Sequence, residues 1–161
     1  MRLVLTGFMG TGKTRIGRRV AERLGRPFHD TDAWIEAEAG RSVREIFAEE
    51  GERSFRERER RAIRELSTIP DAVVSVGGGA LVTPENRSVL ERGALLVCLS
   101  ATPETLAARV GEDPADRPLL AGASSVLERI RELLAERAAV YGSVPEQVDT
   151  SERTIEEVAD E

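Results

Sequence analysis

The stretch GFMGTGKT, residues 7–14, constrains the fold of this chain more than any other feature of its sequence. It follows the short apolar run LVLT and precedes a segment in which Ile16, Val20 and Leu24 recur at helical spacing. A G-x-x-x-x-G-K-[ST] pattern between a strand and a helix is typical of a phosphate-binding loop, because its glycines let backbone N–H groups curl around phosphate oxygens. The sequence therefore predicts a strand–loop–helix unit that binds a nucleotide.

Lys13, within this loop, is the only lysine of a chain that otherwise uses arginine for positive charge. An ammonium group is a mobile point charge that can follow the β- and γ-phosphates, which a planar guanidinium does not copy. The helix that begins near Lys13 adds its positive N-terminal end, and Thr14 offers a hydroxyl to Mg²⁺. A glycine-rich turn without a ligand is the alternative. We expect Lys13 to be catalytic and the nucleotide contacts to come from Gly10, Thr11, Gly12, Lys13 and Thr14.

Short runs that predict strands recur along the chain, at residues 3–6, 27–30, 72–76, 94–99 and 147–149, and those at 3–6, 72–76 and 94–99 are apolar enough to be buried. Segments with helical spacing or helix-capping residues separate them, so the pattern favours a parallel sheet with helices on both faces. The charged block at residues 32–66, divided by Gly40 and Gly51, is expected to be a helical insertion on this core. The prediction is a single α/β domain over residues 1–161, built in three layers.

The composition argues against several classes of protein. A net charge of −6 disfavours a non-specific nucleic-acid or membrane-surface binder, so an anionic ligand requires a local cluster of positive groups. No apolar run approaches the length of a membrane span. Cys98 is the only cysteine, which excludes an internal disulfide and fits a reducing compartment. We expect a cytoplasmic monomer whose partners are small molecules.

The sequence DTD at residues 30–32 closes the second predicted strand. In open α/β sheets ligands collect at the carboxyl ends of the strands, so Asp30 and Asp32 should face the phosphate-binding loop. One carboxylate can hold Mg²⁺ through its water shell, and the other can orient or deprotonate an attacking hydroxyl. Capping of the next helix by Thr31 or Asp32 is the alternative.

Two later segments also suggest ligand contacts. The three glycines at residues 77–79 follow a buried strand, and their cost in conformational entropy suggests that a ligand approaches the backbone closely. The irregular segment 111–125 has the length of a functional loop, and as a lid it would bring Arg117 onto the phosphates of ATP. A plain surface loop is the alternative for both segments. Arg137 and Tyr141, four residues apart on a predicted helix, form either a packing pair or an anion contact.

Together these motifs resemble those of the shikimate kinase family over nearly the whole chain. They occur in the family's order: GFMGTGKT, IGRRVAERLG, DTDAWIE, GRSVREIF, GERSFRERE, SVGGGA, RPLL and the R-x-x-x-Y of Arg137 and Tyr141. The resemblance implies a nucleoside-monophosphate-kinase-like fold with a five-stranded parallel sheet, a helical shikimate-binding region at residues 32–66 and a mobile lid at residues 111–125. It implies transfer of the γ-phosphoryl group of ATP to the 3-hydroxyl of shikimate, in the pathway to chorismate and aromatic amino acids.

The resemblance also implies roles for the polar residues near the metal. Thr14 matches the Mg²⁺-binding hydroxyl, and Asp30 matches the carboxylate that holds the metal's water. Asp32 matches the acid that binds the substrate hydroxyls and acts as the base.

The substrate and nucleotide contacts follow from the same motifs. Arg56 and Arg137 match the pair that clamps the shikimate carboxylate, and Gly78 and Gly79 match backbone contacts to shikimate. Arg117 matches the lid arginine on ATP.

Two further arginines are expected on the nucleotide side. Arg15 follows GKT, where the family usually has a small hydroxyl residue, at the position of a contact to the α-phosphate. Arg153 lies near the family's adenine-side arginine.

Three other functions remain as alternatives. A gluconate kinase would share Lys13, Thr14 and the lid, but would not explain Arg56 together with the glycines at residues 77–79. A nucleoside monophosphate kinase would need a second set of base-recognition residues, which the sequence does not show. A catalytically silent binding module would bind ATP without transferring phosphate, and the intact Lys13, Asp32 and Arg117 count against it.

Overall fold

The computed structural model describes residues 1–111 and 117–161, so that residues 112–116 of the predicted lid lie outside the described residues. Within the described parts, parallel strands form one sheet: β1 (Arg2–Gly7), β2 (Phe28–Asp30), β3 (Val73–Ser75), β4 (Ala94–Ser100) and β5 (Glu146–Asp149). The sheet is five-stranded, and the strand order is β2-β3-β1-β4-β5. The predicted five-stranded parallel sheet is therefore confirmed.

Strand β1 lies at the centre of the sheet. It pairs with β3 at Leu3 and Val73, and with β4 as far as Gly7 and Leu99. Because all strands run in the same direction, β1, β2 and β3 end at the same edge of the sheet. That edge carries the phosphate-binding loop, the DTD sequence and the glycines at residues 77–79.

Helices follow the strands and cover both faces of the sheet. The described helices are α1 (Lys13–Leu24), α2 (Thr31–Ala39), α3 (Val43–Leu66), α4 (Pro84–Glu91), α5 (Pro103–Val110), α6 (Val126–Gly142) and α7 (Ile155–Asp160), with a short 3₁₀ turn at Ala80–Val82. Of the helices in the described parts of the chain, none has the length and apolar character needed to cross a membrane.

Capping residues set several of these helix boundaries. Gly25 ends α1 in the left-handed conformation, and Ser42 with Glu45 forms a reciprocal capping box at the start of α3. Asp30, and not Thr31 or Asp32, caps α2 by accepting from the N–H groups of Asp32 and Ala33. The alternative that assigned this cap to the two later residues is therefore wrong.

Alternating residues of the strands supply two apolar layers. Val4 packs in the cluster beneath α3, α4 and α6, whereas its neighbour Leu5 packs with Ile16 of α1 and Val158 of α7. A separate cluster of Ile35, Ile46, Phe55 and Ala62 joins α2 to α3. The α2–α3 pair therefore has an apolar core of its own and stands at the edge of the sheet that carries the site.

Candidate active site

The phosphate-binding loop bends sharply after β1, and two glycines allow this. Gly7 has φ 131°, and a Cβ atom there would lie 2.1 Å from the carbonyl oxygen of Leu99 on the neighbouring strand. Gly12 adopts the left-handed conformation, with φ 92°, immediately before α1. A side chain at Gly7 would collide with backbone, so the loop depends on glycine for both space and conformation.

Lys13 lies at the start of α1 with its ammonium group inside the curve of the loop. Its Nζ donates to the carbonyl oxygens of Gly7 at 2.8 Å and Phe8 at 2.9 Å. Burial lowers the pKa of Lys13 to about 8, with Arg117 acting in the same direction and Asp32 and Asp30 opposing it. The ammonium group is therefore positioned beside the loop's anion cradle, and it is easier to deprotonate than a free lysine.

Thr14 and Asp30 face each other across the loop and the end of β2. The Thr14 hydroxyl donates to Asp30 Oδ2 at 2.7 Å, while Asp30 Oδ1 accepts from the backbone N–H of Asp32 at 2.9 Å. A hydroxyl and a carboxylate are hard oxygen ligands, and Mg²⁺ commonly uses one or two protein oxygens together with waters and substrate phosphates. The donor set at Thr14 and Asp30 fits Mg²⁺, and Asp30 is oriented for it by its bonds to α2.

Asp32 points into the cleft from the first turn of α2. Its Oδ1 is shielded from solvent and has no hydrogen-bond partner among the described residues. Burial raises the pKa of Asp32 to about 6, with smaller contributions from the charges of Asp30 and Glu59. A carboxylate with this pKa is partly protonated near pH 6 and can accept a proton at neutral pH.

Two adjoining clefts meet at Asp32. The larger cleft, of about 720 Å³, is lined by the phosphate-binding loop, Asp30, Arg109 and the start of α7. The smaller cleft, of about 170 Å³, lies between α2, α3 and the glycine loop, which we define as residues 77–79. The residues that line both clefts are Met9, Asp32, Gly77, Gly78 and Arg117.

Arg56, from α3, and Arg137, from α6, both line the smaller cleft. Arg56 Nη1 donates to Glu59 Oε1 at 2.9 Å, and a Cβ atom on Gly79 would lie 2.6 Å from Arg56 Nη2. Arg137 is only 7% exposed and makes no direct ion pair among the described residues, although the Glu59 carboxylate lies close enough for the two charges to interact. A buried guanidinium with no carboxylate in direct contact is costly, so its position suits an anionic ligand.

Glu59 is a site residue that the motif analysis did not select. It is fully buried, and its Oε2 atom lies 2.8 Å from where a Cβ atom on Gly77 would stand. Burial raises the pKa of Glu59, while Arg56 acts against this. The signal was present in the sequence, because Glu59 shares the apolar face of Phe55 and Ile63, where an unpaired carboxylate would be unfavourable.

The predicted nucleotide-side arginines occupy different positions. Arg117 is exposed and lines both clefts. Arg15 is exposed at the larger cleft without a hydrogen-bond partner among the described residues. Arg153 also lines this cleft, but its guanidinium donates to the carbonyl oxygens of Asp149 and Glu157.

Arg109 was not found by sequence reasoning. It donates to the carbonyl oxygen of Gly10 at 3.2 Å and to that of Thr150 at 2.6 Å, and so joins the phosphate-binding loop to the segment after β5. Nothing in the sequence around it distinguishes Arg109 from the other arginines on helices. Its role depends on α5 lying beside the loop.

The comparisons with known proteins agree with this geometry. The shikimate kinase family model matches residues 9–161. The chain belongs to the shikimate kinase family. The shikimate kinase of Symbiobacterium thermophilum is 44% identical, covering 100% of this chain and 93% of its own length. A shikimate kinase of Thermus thermophilus is also 44% identical and covers 99% of this chain and 86% of its own.

Solved structures lead to the same family. The shikimate kinase from Acinetobacter baumannii in complex with shikimate has a TM-score of 0.93 at 35% identity, covering 99% of this chain and 88% of that one. A gluconokinase from Sinorhizobium meliloti has a TM-score of 0.60 at 18% identity, covering 99% of this chain and 87% of that one. The second likeness shows only that the two proteins share a fold.

Proposed function

We propose that this chain transfers the γ-phosphoryl group of ATP to the 3-hydroxyl of shikimate, giving shikimate 3-phosphate in the pathway to chorismate and aromatic amino acids. The observation that carries the proposal is the junction of the two clefts. A phosphate-binding loop with Lys13 borders one cleft, a pair of arginines borders the other, and Asp32 stands where they meet. This arrangement supports a phosphate donor on one side and a carboxylated acceptor on the other.

ATP would bind in the larger cleft, with its β- and γ-phosphates in the loop formed by residues 10–14. Lys13 would exchange its bonds to the loop carbonyls for bonds to phosphate oxygens, where its charge offsets the charge that develops during transfer. Arg117 lines both clefts and lies close enough to Lys13 to lower its pKa, which makes it a candidate contact to the γ-phosphate. Arg15 and Arg153 line the same cleft and are further candidates for nucleotide contacts.

Thr14 and Asp30 would hold Mg²⁺ at the base of the loop. The ion, when bound, neutralises part of the triphosphate charge. The protein's contribution is orientation, because Asp30 is fixed by the first turn of α2 and Thr14 by the first turn of α1.

Shikimate would occupy the smaller cleft. Arg56 and Arg137 would bind its carboxylate, because guanidinium groups pair with carboxylates through two parallel hydrogen bonds and so fix orientation as well as charge. The buried Arg137, which makes no direct ion pair among the described residues, supports this assignment. Gly78 and Gly79 would let the hydroxylated ring of shikimate approach the backbone closely. A side chain on Gly79 would also displace Arg56.

Asp32 would bind the substrate hydroxyls and accept the proton of the 3-hydroxyl as it attacks the γ-phosphorus. Its unpartnered Oδ1 supplies the acceptor, and the raised pKa places its proton affinity close to the working range of a base. Shikimate has several hydroxyls, so position relative to Asp32 and Lys13 would decide which one is phosphorylated.

The test is Mg²⁺-dependent release of ADP by the purified protein with shikimate, gluconate, a nucleoside monophosphate or no acceptor. The proposal expects strong stimulation by shikimate alone, with shikimate 3-phosphate as product. Stimulation by gluconate instead would overturn the assignment of the arginine pair. ATP binding without stimulated release by any acceptor would favour a silent binding module.

The setting of the reaction is also part of the proposal. We expect one domain over residues 1–161, acting as a monomer in the cytoplasm, with residues 32–66 binding shikimate and residues 111–125 closing as a lid. The single cysteine, Cys98, is buried, and burial raises the pKa of its thiol to about 11, which fits a structural role in a reducing compartment.

A further inference from the structure

Tyr141 lies behind the smaller cleft, and the proposed function gives it no role. Its side chain is buried near the end of α6, one helical turn after Arg137. The Tyr141 hydroxyl contacts two parts of the cleft: it donates to the carbonyl oxygen of Gly78, and it accepts from Arg137 Nη1 at 3.4 Å. One phenol oxygen therefore touches both the glycine loop and the guanidinium.

The direction of these hydrogen bonds follows from the groups involved. A carbonyl oxygen can only accept and a guanidinium can only donate, so the hydroxyl must give its proton to Gly78 and offer a lone pair to Arg137. Burial raises the pKa of the Tyr141 phenol, so the hydroxyl keeps its proton at neutral pH. The hydroxyl uses its donor and an acceptor site at the same time.

Arg137 has few other restraints within the described parts of the protein. Its Cζ atom lies 5.7 Å from the centre of the Phe8 ring, and the Tyr141 hydroxyl is its hydrogen-bond acceptor. A Cβ atom on Gly78 would lie 3.3 Å from Arg137 Nη1 and 3.3 Å from the carbonyl oxygen of Gly7. Gly78 is thus packed between the guanidinium and the start of the phosphate-binding loop, and Tyr141 fixes that packing from behind.

We propose that Tyr141 is a positioning residue for shikimate: through one hydroxyl it holds the Arg137 guanidinium and the Gly78 backbone in the geometry that receives the substrate. The inference rests on the proposed function, because it assigns Arg137 and Gly78 to the shikimate side. Tyr141 itself does not border either cleft. It acts through its two partners.

The first test is Tyr141→Phe, which removes the hydroxyl and keeps the ring. We expect the KM for shikimate to rise about tenfold, because one lost hydrogen bond to a charged group and one unpaired, partly buried carbonyl weaken the site by that order. The KM for ATP should stay within about twofold, since the larger cleft keeps its contacts. An equal rise in both KM values, or unchanged kinetics with a lower Tm, would overturn the inference.

Ser143→Ala is the matched control. Ser143 lies two residues further on, and its hydroxyl donates to the carbonyl oxygen of Val140 and accepts from Arg87, away from the clefts. This variant should lower Tm without changing the KM for shikimate. If it raises that KM as much as Tyr141→Phe does, the effect belongs to the end of α6 as a whole and the inference fails.

A second measurement keeps the ring and the hydroxyl of residue 141 in place. Tyr141 is the only tyrosine, so 3-fluorotyrosine incorporated during expression reports from this position alone. The ¹⁹F resonance should shift when shikimate is added. It should shift less with the carboxamide analogue of shikimate, which lacks the negative charge that would bind the Arg137 guanidinium. No shift at saturating shikimate would overturn the inference. Absence of shikimate turnover by the wild-type protein would instead overturn the proposed function.

Discussion

At the scale of single residues, the site depends on groups whose charge is made costly by burial. Lys13 and Asp32 lie within the same cleft, and burial moves their pKa values toward each other, to about 8 and about 6. Each also stabilises the charged form of the other, since Lys13 lowers the pKa of Asp32 and Asp32 raises that of Lys13. The pair can therefore carry opposite charges at neutral pH while staying close to titration.

A pH profile of kcat/KM for the free protein should therefore be bell-shaped. Activity should rise as Asp32 loses its proton at about pH 6 and fall as Lys13 loses its proton at about pH 8. Initial rates at low substrate across this range measure it. In the profile for kcat, the alkaline limb should move to higher pH, because bound phosphates favour the charged form of Lys13. An acid limb that persists in Asp32→Asn would assign that limb to another group.

Asp32→Asn should lower kcat about 10²–10⁴-fold while leaving ATP affinity intact, because the amide cannot accept the proton.

Asp32→Asn should also stabilise the fold. The pKa of Asp32 rises from 3.8 to about 6 on folding, so the folded state binds this proton more tightly than the unfolded state does. The ionised carboxylate therefore lowers the free energy of unfolding as the pH rises from 3.8 to about 6, and above pH 6 the loss reaches about 3 kcal/mol.

The measurement is Tm for wild type and Asp32→Asn as a function of pH. The variant should be more stable at pH values above about 6, and the difference should vanish below the ordinary pKa of an aspartate. Equal stability at alkaline pH would mean that Asp32 is better solvated than its position indicates.

Arg56→Ala should raise the KM for shikimate about 10- to 100-fold, the loss expected for hydrogen bonds between charged groups, with little effect on the KM for ATP. Arg53→Ala is a suitable control, because Arg53 lies one turn earlier on α3 with its side chain 95% exposed. Steady-state kinetics with each substrate varied in turn makes the comparison. Parallel changes in both KM values would remove Arg56 from the carboxylate clamp.

At the scale of secondary-structure elements, α3 shows how one residue shapes the smaller cleft. Gly51 interrupts the helix with φ 82° and ψ 171°, a conformation that is essentially restricted to glycine. The break lets the segment before it pack on α2 through Ile46, while the segment after it turns Arg56 and Glu59 toward the glycine loop. The sequence marked this position as a division, and the structure shows a kink within one element.

Gly51→Ala should lower the free energy of unfolding by about 1–3 kcal/mol, because alanine is strained in this conformation although no atom of the described residues blocks its Cβ. Gly142→Ala, in the last turn of α6 and also unobstructed, should be neutral or slightly stabilising. Urea unfolding of both variants tests this. A Gly51→Ala variant as stable as wild type would mean that α3 can continue through the break.

At the scale of the whole molecule, the two clefts have different lining residues except where they meet. The shared residues, Asp32 and Gly78 among them, come from different strand ends that only the sheet brings together. Each substrate would therefore contact side chains of its own cleft in addition to the shared residues. A substitution in one cleft can therefore weaken the stabilisation of the folded protein by one substrate and leave the stabilisation by the other.

Thermal shifts should show this separation. Shikimate should raise the Tm of Lys13→Ala more than that of Arg56→Ala, and Mg²⁺-ATP should raise the Tm of Arg56→Ala more than that of Lys13→Ala. At about 100 times Kd a ligand adds about 2.7 kcal/mol, which is several degrees for a domain of this size. If each variant lost its response to both ligands, the two clefts would have to act as one site.

Much of this protein is determined by its sequence alone. The strand–loop–helix unit, the buried strands and the helix caps are local patterns, and they predicted the parallel sheet and the positions of Lys13, Asp30 and Asp32 at its edge. Local steric and hydrogen-bonding rules act over a few residues, so they can be read without knowing the fold. The family motifs added the pairing of Arg56 with Arg137.

Only the tertiary structure decided the rest. Asp30, not its neighbours, caps α2, because its position at the end of β2 directs Oδ1 to the helix N–H groups. Arg109 lies among many similar arginines in the sequence, and the positions of Glu59 and Tyr141 show only which helix face each one shares. Each becomes part of the site because α3, α5 and α6 bring it against the glycine loop or the phosphate-binding loop. Burial and distance set these roles, and both are properties of segments far apart in the chain.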